Sequence, residues 1–289
     1  MRNITWVILR GGLGNQLFQY YAGLKHSLIN GSRLYIDVNH IHEDLNGLRH
    51  YELNNFKLPL DGSGLIHEVI GNSDIKNNFF QFLNRKIIGN TSCVHPSVPT
   101  LNEIIPTRKL ESAIFDGYFQ NANLYDYLLL DPGLLPRLNP LAEFKIIQSD
   151  FERTCAITVR LKDYLKFPKV FGDFPLDYYE KAVKEVIYRF NISKFDLFSD
   201  DVKLAQTLLA PIITPEIELR PISTNNALND FVNISKYKYK IIANSSFSWW
   251  AAFINPNAIV YYMDPWLLHP LNQELGLSSW RKVERNFTL

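Results

Sequence analysis

Three short apolar segments in the second half of the chain each end in polar residues and are followed by a helical pattern. The segments are residues 155–159, 194–198 and 239–243, and a fourth, residues 259–262, is predicted to be the last strand. Apolar residues at helical spacing predict helices at residues 176–190, 202–209, 226–235 and 248–253. Strands that alternate with helices pair in parallel, because each helical crossover returns the chain to the same end of the sheet. The second half therefore predicts an α/β domain with a mostly parallel sheet.

The first 40 residues follow the same order of elements. An apolar strand at residues 4–9 leads into a loop that contains Gly12 and Gly14, and a helical pattern then runs to Asn30-Gly31 before a strand at residues 34–38. Open α/β sheets bind ligands at the carboxyl ends of their strands, which is where this loop lies. The loop is not a Walker sequence, since no Gly-Lys-Ser/Thr follows it, and a tight strand-to-helix turn is the structural alternative.

The middle of the chain predicts less. Residues 40–115 contain turn signals and short apolar runs, and Pro132, Pro136 and Pro140 indicate a boundary or linker followed by a short helix. A length of 289 residues exceeds the size at which a single core usually keeps growing. We therefore predict two Rossmann-type halves that face a cleft, residues 1–145 and residues 146–289.

Composition narrows the classes of partner. The 30 basic and 29 acidic residues leave a formal charge of +1, so no global field would draw the chain to nucleic acid or to an anionic membrane. No apolar run approaches the roughly 18 to 20 residues that cross a bilayer. Any bound anion must therefore be held by a local site, and we expect a soluble, cytoplasmic protein with at most peripheral membrane contact.

Polar residues at the predicted strand ends form the candidate site. They are Arg160, Asp163, Ser199, Asp200, Asp201, Asn244, Ser245, Ser246 and Ser248. Because the carboxyl ends of parallel strands meet at one edge, we expect these residues to share a crevice. An arginine oriented by an aspartate, beside a helix that begins in serines, makes an anion cradle suited to a diphosphate. The alternative is structural: Arg160 pairs with Asp163 at the surface, and the other residues cap helices.

The sequence does not predict a metal site. No Asp-x-Asp sequence occurs in the chain, although many enzymes use that arrangement to hold a divalent ion against a diphosphate. His40 and His42, with Glu43 and Asp44, have the chemistry of metal ligands but lack a convincing further ligand. We predict neither a metal nor a cofactor.

Five segments of the chain match a set of motifs in order. They are Gly11-Gly12-Leu13-Gly14-Asn15-Gln16-Leu17-Phe18-Gln19-Tyr20, Asp116-Gly117-Tyr118-Phe119-Gln120, Leu176-Asp177-Tyr178-Tyr179-Glu180-Lys181-Ala182, Leu197-Phe198-Ser199-Asp200-Asp201 and Ile242-Ala243-Asn244-Ser245-Ser246-Phe247-Ser248-Trp249-Trp250-Ala251-Ala252. In these segments the chain resembles the α-1,2-fucosyltransferase family, glycosyltransferase family 11, and in particular its bacterial O-antigen members. The matches span nearly the whole chain, so chance explains them poorly.

The resemblance implies a GT-B-like fold and an inverting, metal-independent transfer of L-fucose from GDP-β-L-fucose to the 2-hydroxyl group of a terminal galactoside. It also implies that the second half binds the GDP-sugar donor and that the first half lies on the acceptor side. By this resemblance Arg160 would bind the diphosphate, and Asp163 and Asp200 would support that arginine or the nucleotide. Ser245 and Ser246 would hold the β-phosphate, and Asn15 would face the reacting sugar. The further donor-binding candidates are Gly12, Gly14, Ser199, Asp201, Asn244 and Ser248.

One segment departs from the family pattern. Where the family usually reads H-x-R-R-x-D-Y, the chain has Thr158-Val159-Arg160-Leu161-Lys162-Asp163-Tyr164, without the histidine and the second arginine. The departure leaves two alternatives to GDP-fucose transfer open. One is another GDP-deoxysugar donor, such as GDP-colitose, and the other is a non-catalytic relative that binds a nucleotide or a glycan.

No motif identifies the acceptor-side residues. Asp37, His40 and Asp44 follow the second strand and are candidates for the general base, which must lie within hydrogen-bond reach of the acceptor hydroxyl. The resemblance implies an acceptor glycan that ends in galactose, lipid-linked glycans included. It also implies that the transfer takes place at the inner face of a bacterial membrane.

Overall fold

The chain divides into two compact units, Met1–Ala142 and Glu143–Leu289. The computed structural model describes residues 3–41, 49–59, 68–70, 91–94, 112–139, 142–162, 164–268 and 275–286. The boundary that we predicted from the sequence, after residue 145, lies close to this division. Within the described ranges, no helix is both long enough and apolar enough to span a membrane.

Unit 1 is built on a five-stranded parallel sheet with the strand order β4-β2-β1-β6-β5. Its strands, with a separate short antiparallel pair formed by β3 and β7, are β1 (Ile4–Ile8), β2 (Arg33–Asp37), β3 (Phe56–Lys57), β4 (Glu68–Ile70), β5 (Thr91–Val94), β6 (Ser112–Asp116) and β7 (Arg137–Leu138). Its α-helices are α1 (Leu13–Asn30) and α2 (Asp126–Leu130). The predicted strand, glycine loop, helix and strand of the first 40 residues are confirmed.

Helix α1 begins and ends where the glycines allow it. It starts directly after Gly12, and Gly31 takes the left-handed conformation after its last turn, with φ of 60° and its N–H group donating to the carbonyl of Ser27. Glycine takes this conformation without the steric cost that a Cβ atom would bring. The helix packs on β1, and most of its residues are buried, including Leu17, Tyr20 and Tyr21.

A buried histidine makes unit 1 sensitive to acid. His26 of α1 is fully buried, its Nδ1 lies 2.8 Å from the Thr5 hydroxyl, and burial lowers its pKa to about 4. In the unfolded chain this group protonates near pH 6.5, so the folded state loses stability as the pH falls from about 6.5 to about 4. We expect the free energy of unfolding of wild type to fall by up to about 3 kcal/mol more than that of His26→Gln over this range. Urea titrations at pH 7 and pH 4 measure the difference, and equal losses in the two proteins would contradict the prediction.

Unit 2 is built on a six-stranded, fully parallel sheet with the order β10-β9-β8-β11-β12-β13. Its strands are β8 (Cys155–Val159), β9 (Lys194–Ser199), β10 (Glu218–Ile222), β11 (Tyr239–Ile242), β12 (Ile259–Asp264) and β13 (Arg281–Glu284). Its α-helices are α3 (Pro168–Phe171), α4 (Leu176–Phe190), α5 (Val202–Leu209), α6 (Ala227–Lys236) and α7 (Ser246–Phe253). The predicted parallel sheet and the four predicted helices are confirmed, with ends that shift by at most two residues.

Three details of the prediction for this region are wrong. The strand at β12 is not the last, because β13 pairs with it in parallel. Strand β10 was not predicted, because it contains Pro221. The proline is tolerated there because β10 is an edge strand. The short helix predicted after the proline-rich stretch is absent from the described residues 142–150, where the N–H groups of Lys145 and Ile147 instead donate to the side chains of Asn229 and Asn233.

A buried ion pair joins this irregular segment to the sheet. Asp196 of β9 is fully buried, and its two carboxylate oxygens accept bonds of 2.7 Å each from Nε and Nη2 of Arg220. The hydroxyl groups of Tyr237 and Ser149 also donate to Asp196, and Arg220 reaches the carbonyl of Gln148 as well. Burial by itself would raise the pKa of Asp196, but these hydrogen bonds outweigh it and the pKa is lowered. The network therefore fixes the start of unit 2 against β9 and β10.

Candidate active site

The polar residues predicted at the strand ends of unit 2 lie at one edge of its sheet. Arg160 follows β8, Asp200 follows β9 and Asn244 follows β11, and these three strands are neighbours. The strand order reverses between β8 and β11, because β9 and β10 extend the sheet on one side and β12 and β13 on the other. Ligands of open α/β sheets bind at such a reversal, outside the carboxyl ends of the strands.

Strands β8 and β11 separate at this point. Their pairing ends at Ile157 and Ile241, whereas β8 continues to pair with β9 as far as Val159 and Ser199. The hydroxyl group of Thr158 accepts the N–H group of Ala243 at 2.8 Å where the regular ladder has ended. Thr158 is buried, so the residue that replaces the family's histidine is part of the sheet interior.

Arg160 is oriented by Asp200. The Nε atom of Arg160 lies 3.1 Å from Oδ2 of Asp200, and the same carboxylate accepts the N–H groups of Leu161 and Lys162 at 2.9 and 3.1 Å. The arginine side chain stays 31% exposed, whereas that of Asp200 is 13% exposed. This geometry fixes the loop after β8 and holds a partly solvated guanidinium at the sheet edge. Asp163, the other predicted partner, lies outside the described residues.

Two neighbours of Asp200 make helix-start contacts. The carboxylate of Asp201 accepts the N–H group of Leu204 at 3.1 Å and so caps α5, and the Ser199 hydroxyl accepts the N–H group of Asp201 at 3.1 Å. These are the contacts of the structural alternative that the sequence left open. A donor-binding role for Ser199 and Asp201 remains a prediction.

The segment after β11 presents a helix N-terminus at the same edge. Ser245 is the N-cap of α7 in an extended conformation, with φ of −122° and ψ of 132°, and its side chain makes no capping hydrogen bond. Ser245 and Ser246 are half-buried, whereas Ser248 is buried. The first N–H groups of a helix have no partner within the helix and carry partial positive charge. Of the three serines, Ser245 and Ser246 are therefore the ones placed to meet an anion.

Asn244 connects this helix start to its surroundings. It is buried, its Nδ2 atom donates to the carbonyl of Trp266 at 2.9 Å, and its own carbonyl accepts the hydroxyl group of Tyr164. Trp249 and Trp250, which are fully buried, anchor α7 behind it. Asn244 thus ties the start of α7 to Trp266 and Tyr164, and its contact with the donor stays a prediction.

Two tyrosines of α4 form hydrogen bonds with backbone carbonyls of strands β8, β11 and β12. The Tyr178 hydroxyl donates to the carbonyls of Ile242 and Tyr261, at 2.7 and 3.0 Å, and the Tyr179 hydroxyl donates to that of Thr158 at 2.9 Å. The Asp-Tyr-Tyr segment noted in the sequence therefore has a structural role here. It holds in place the strand ends from which the site is built.

A pocket in unit 2 opens beside Arg160. Its lining includes the side chains of Arg160, Tyr164, Phe171, Asn244 and Arg285. The rings of Tyr164 and Phe171 stack at 3.7 Å between centroids and 4° between planes. The sequence analysis missed Tyr164 and Arg285 as site residues. Tyr164 could have been found from its place in the segment that departs from the family pattern. Arg285 follows β13, a strand that the sequence did not predict.

In unit 1 the glycine loop follows β1, and Asn15 lies in the first turn of α1. The Oδ1 atom of Asn15 accepts a hydrogen bond of 2.9 Å from Nε2 of Gln120, so the first two motif segments meet. Gly11 has φ of 73°, and a Cβ atom there would lie 2.7 Å from Nδ2 of Asn15. Gly12, the predicted donor-binding glycine, lies beside Arg49, whose Nη1 atom would be 3.0 Å from a Cβ at that position. Gly14, by contrast, is buried within α1.

Of the three acceptor-side candidates, the structure describes Asp37 and His40. Asp37 is buried, and its carboxylate accepts bonds from Nε1 of Trp6 and from the backbone and side-chain nitrogens of Asn39. These contacts shape the turn after β2. His40 is half-buried in that turn, and Asp44 lies outside the described residues. Among the residues that the structure describes, no three His, Cys, Asp or Glu side chains come together to hold a metal ion.

A comparison with protein families identifies the chain. Residues 117–269, more than half of its length, match the model of glycosyl transferase family 11. The chain belongs to glycosyl transferase family 11. As a member of that family it is a glycosyltransferase. The matched residues contain four of the five motif segments apart from Asp116, and they include Arg160, Asp200 and the start of α7.

Proteins similar to this chain are also named as glycosyltransferases. The chain is 29% identical to the O-antigen biosynthesis glycosyltransferase WbnK of Escherichia coli, over 94% of this chain and 98% of that protein. It is 27% identical to an alpha-1,2-colitosyltransferase of Escherichia coli, over 85% and 86% of the two chains. The structure resembles fucosyltransferase NodZ from Bradyrhizobium with a TM-score of 0.51 at 13% identity, over 89% of this chain and 94% of that one. The glycosyltransferase therefore has the α/β, GT-B-like fold that the sequence predicts.

Proposed function

We propose that this family 11 glycosyltransferase transfers L-fucose from GDP-β-L-fucose to the 2-hydroxyl group of a terminal galactoside, with inversion and without a metal ion. The observation that carries the proposal is the Arg160–Asp200 pair at the strand reversal of unit 2, beside the N-terminus of α7. NodZ, which shares the fold, has been solved with GDP and with GDP-fucose. A nucleotide-sugar donor is the ligand class that suits such a site.

We assign the leaving diphosphate to Arg160, Ser245 and Ser246. Negative charge develops on the diphosphate as its bond to the sugar breaks, and preorganised donors stabilise that charge more than they stabilise the ground state. A guanidinium can bind two phosphate oxygens at once, and Asp200 already holds it in one orientation. The N–H groups at the start of α7 add neutral donors to the same edge.

We assign the acceptor to unit 1, with Asn15 as the residue that acts on the reacting sugar. Asn15 and Gln120 are held together by a hydrogen bond, which gives both amides a fixed orientation. Of the two acceptor-side candidates that the structure describes, His40 is half-buried, whereas the Asp37 carboxylate is buried and occupied by the turn after β2. The name of the WbnK relative supports an O-antigen glycan as acceptor. Lipid-linked glycans and a peripheral place at the inner membrane face belong to the same proposal.

A second donor, GDP-colitose, is favoured by one relative and by one departure. An alpha-1,2-colitosyltransferase matches most of this chain. Thr158 and Leu161, which replace the family's histidine and second arginine, carry no charge and are both buried, so neither offers the nucleotide a charged group. A direct comparison of transfer from GDP-fucose and from GDP-colitose therefore identifies the donor sugar.

The test is product detection by mass spectrometry with a galactose-terminated oligosaccharide and each of the two GDP-sugars. We expect transfer from GDP-β-L-fucose, unchanged by an excess of EDTA, and nuclear magnetic resonance of the product should show an α linkage to the 2-hydroxyl group. Transfer from GDP-colitose alone would replace the donor, and loss of transfer in EDTA that added Mg²⁺ restores would contradict the metal-free mechanism. Tight binding of GDP without turnover of either sugar would favour a non-catalytic binding protein.

A further inference from the structure

The last strand of unit 2 brings a buried arginine to the Arg160 pocket. Arg285 follows β13 directly, and its backbone N–H group donates to the carbonyl of Asp264 at 3.1 Å. The side chain lines the pocket together with Arg160 and is almost fully buried, with 5% of the residue exposed. Residue 285 lies beyond the segment that the family model matches.

The guanidinium of Arg285 holds the end of a short helix. Its Nη1 atom donates to the carbonyl of Phe171, the last residue of α3, at 2.7 Å. Helix α3 has only four residues, too few to be stable on its own, so its position depends on such contacts. Gly172 follows with φ of 77°, and the N–H group of Leu268 donates to the carbonyl of Val170 at 2.8 Å.

The contact continues from Phe171 to the strand ends of the site. The Phe171 ring stacks on that of Tyr164, and the Tyr164 hydroxyl donates to the carbonyl of Asn244, just before the serines of α7. Tyr164 also lies four residues after Arg160, and Leu165 donates its N–H group to the carbonyl of Leu161. A continuous set of direct contacts therefore leads from Arg285 to both sides of the strand reversal.

The charge of Arg285 has an energetic cost. Burial lowers the pKa of its guanidinium, while Asp177, Tyr179, Tyr164 and Asp264 act in the opposite direction. Burying an arginine is expensive unless its donors are used, and an apolar side chain would fill the same space without that cost. The hydrogen bond to the Phe171 carbonyl satisfies one of these donors. It holds the wall of the pocket in place rather than the core of the sheet.

We propose that Arg285 is a positioning residue of the donor site. It holds Phe171, and through the ring stack Tyr164, against Asn244, and so fixes the pocket wall beside Arg160. The inference rests on the proposed binding of a GDP-sugar by unit 2. It adds a determinant of donor affinity from the C-terminal strand, which no motif contains.

Calorimetric titration with GDP tests this proposal on the full chain. We expect Arg285→Met to weaken GDP binding by about 10-fold or more, and Arg285→Lys, which can still donate to the Phe171 carbonyl, to regain most of the affinity. Arg281→Met, at the start of β13 with a 39% exposed side chain, should bind like wild type. Absence of GDP binding in wild type would refute the proposed function, whereas wild-type affinity in Arg285→Met would refute only this inference.

A second variant separates positioning from general loss of stability. Tyr164→Phe keeps the ring stack and removes only the hydroxyl that reaches Asn244. If Arg285 acts through Tyr164, the double variant Arg285→Met/Tyr164→Phe should bind GDP about as weakly as the weaker single variant. Losses of affinity that multiply in the double variant would show that the two residues act independently and would overturn the proposal. Arg285→Gln, whose side chain is two atoms shorter, repeats the cycle with Tyr164→Phe if the methionine variant does not fold.

Discussion

Replacement of Arg160 by alanine should reduce kcat/KM for the GDP-sugar by at least about 100-fold while the melting temperature changes little. The loss in rate follows because Arg160 is a partly exposed cation at the strand reversal that is oriented by Asp200 at 3.1 Å. Removal of one preorganised donor to a developing anion commonly costs a factor of about 10² to 10³ in rate. The change in stability should be small, since a partly exposed ion pair contributes at most about 1 kcal/mol. Initial-rate kinetics and thermal unfolding measure the two effects.

The matched control is Arg189→Ala on α4. Arg189 also pairs with a carboxylate, that of Glu185, at 2.6 Å, and its side chain is 50% exposed. It lies in the last turn of α4, before β9 begins. This variant should keep wild-type kinetics. Arg160→Lys should recover part of the lost activity, because lysine keeps the charge but not the paired donors of a guanidinium. If Arg160→Ala lost activity and melting temperature in parallel, Arg160 would be a structural ion-pair residue instead.

Replacement of Asp196 by alanine should cost unit 2 about 3 to 5 kcal/mol in the free energy of unfolding. The side chain is fully buried and accepts hydrogen bonds from Arg220, Tyr237 and Ser149. Its removal leaves the guanidinium without its counter-charge and two hydroxyl groups without their acceptor, and the vacated volume cannot be filled by the remaining methyl group. Denaturant titration followed by circular dichroism measures the loss.

Glu152→Ala is the control for this effect. Glu152 pairs with Lys238 at 3.0 Å, but its side chain is 73% exposed, so its removal should change stability by less than about 1 kcal/mol. Asp196→Asn should fall between the two, because an amide keeps the shape and one acceptor oxygen while it loses the charge. A destabilisation of Asp196→Ala no larger than that of Glu152→Ala would mean that solvent replaces the network at little cost.

The sequence predicts the central parts of this fold well, and the reason is physical. Strands β8, β9 and β11 are largely buried on both faces, so they read as mainly apolar segments, although Asp196 interrupts β9 and Lys240 interrupts β11. Edge strands do not carry that signal. In β13 only Val283 is buried, and β10 contains Pro221, so neither element stands out from a polar loop.

The same limit applies to side-chain partners. The residue pattern alone places Arg160 beside Asp163, three residues away, and Asp200 enters only through the family resemblance; the structure shows the pair of Arg160 with Asp200 at the end of the neighbouring strand, and Asp163 lies outside the described residues. Such a pair follows from strand order, which local patterns do not determine. Arg285 is a stronger case, since its place in the pocket depends on β13 and on helix α3 together. Residue types at strand ends therefore predict at which edge of the sheet polar residues gather better than they predict which side chains meet there.

Titration of GDP into the protein and into Arg160→Ala is the most direct test of a nucleotide-sugar site at the carboxyl edge of unit 2. We predict binding of one GDP per chain to wild type and to Arg189→Ala, unaffected by EDTA, and an affinity at least about 10-fold lower in Arg160→Ala. Equal affinity of wild type and Arg160→Ala for GDP would contradict the proposed site.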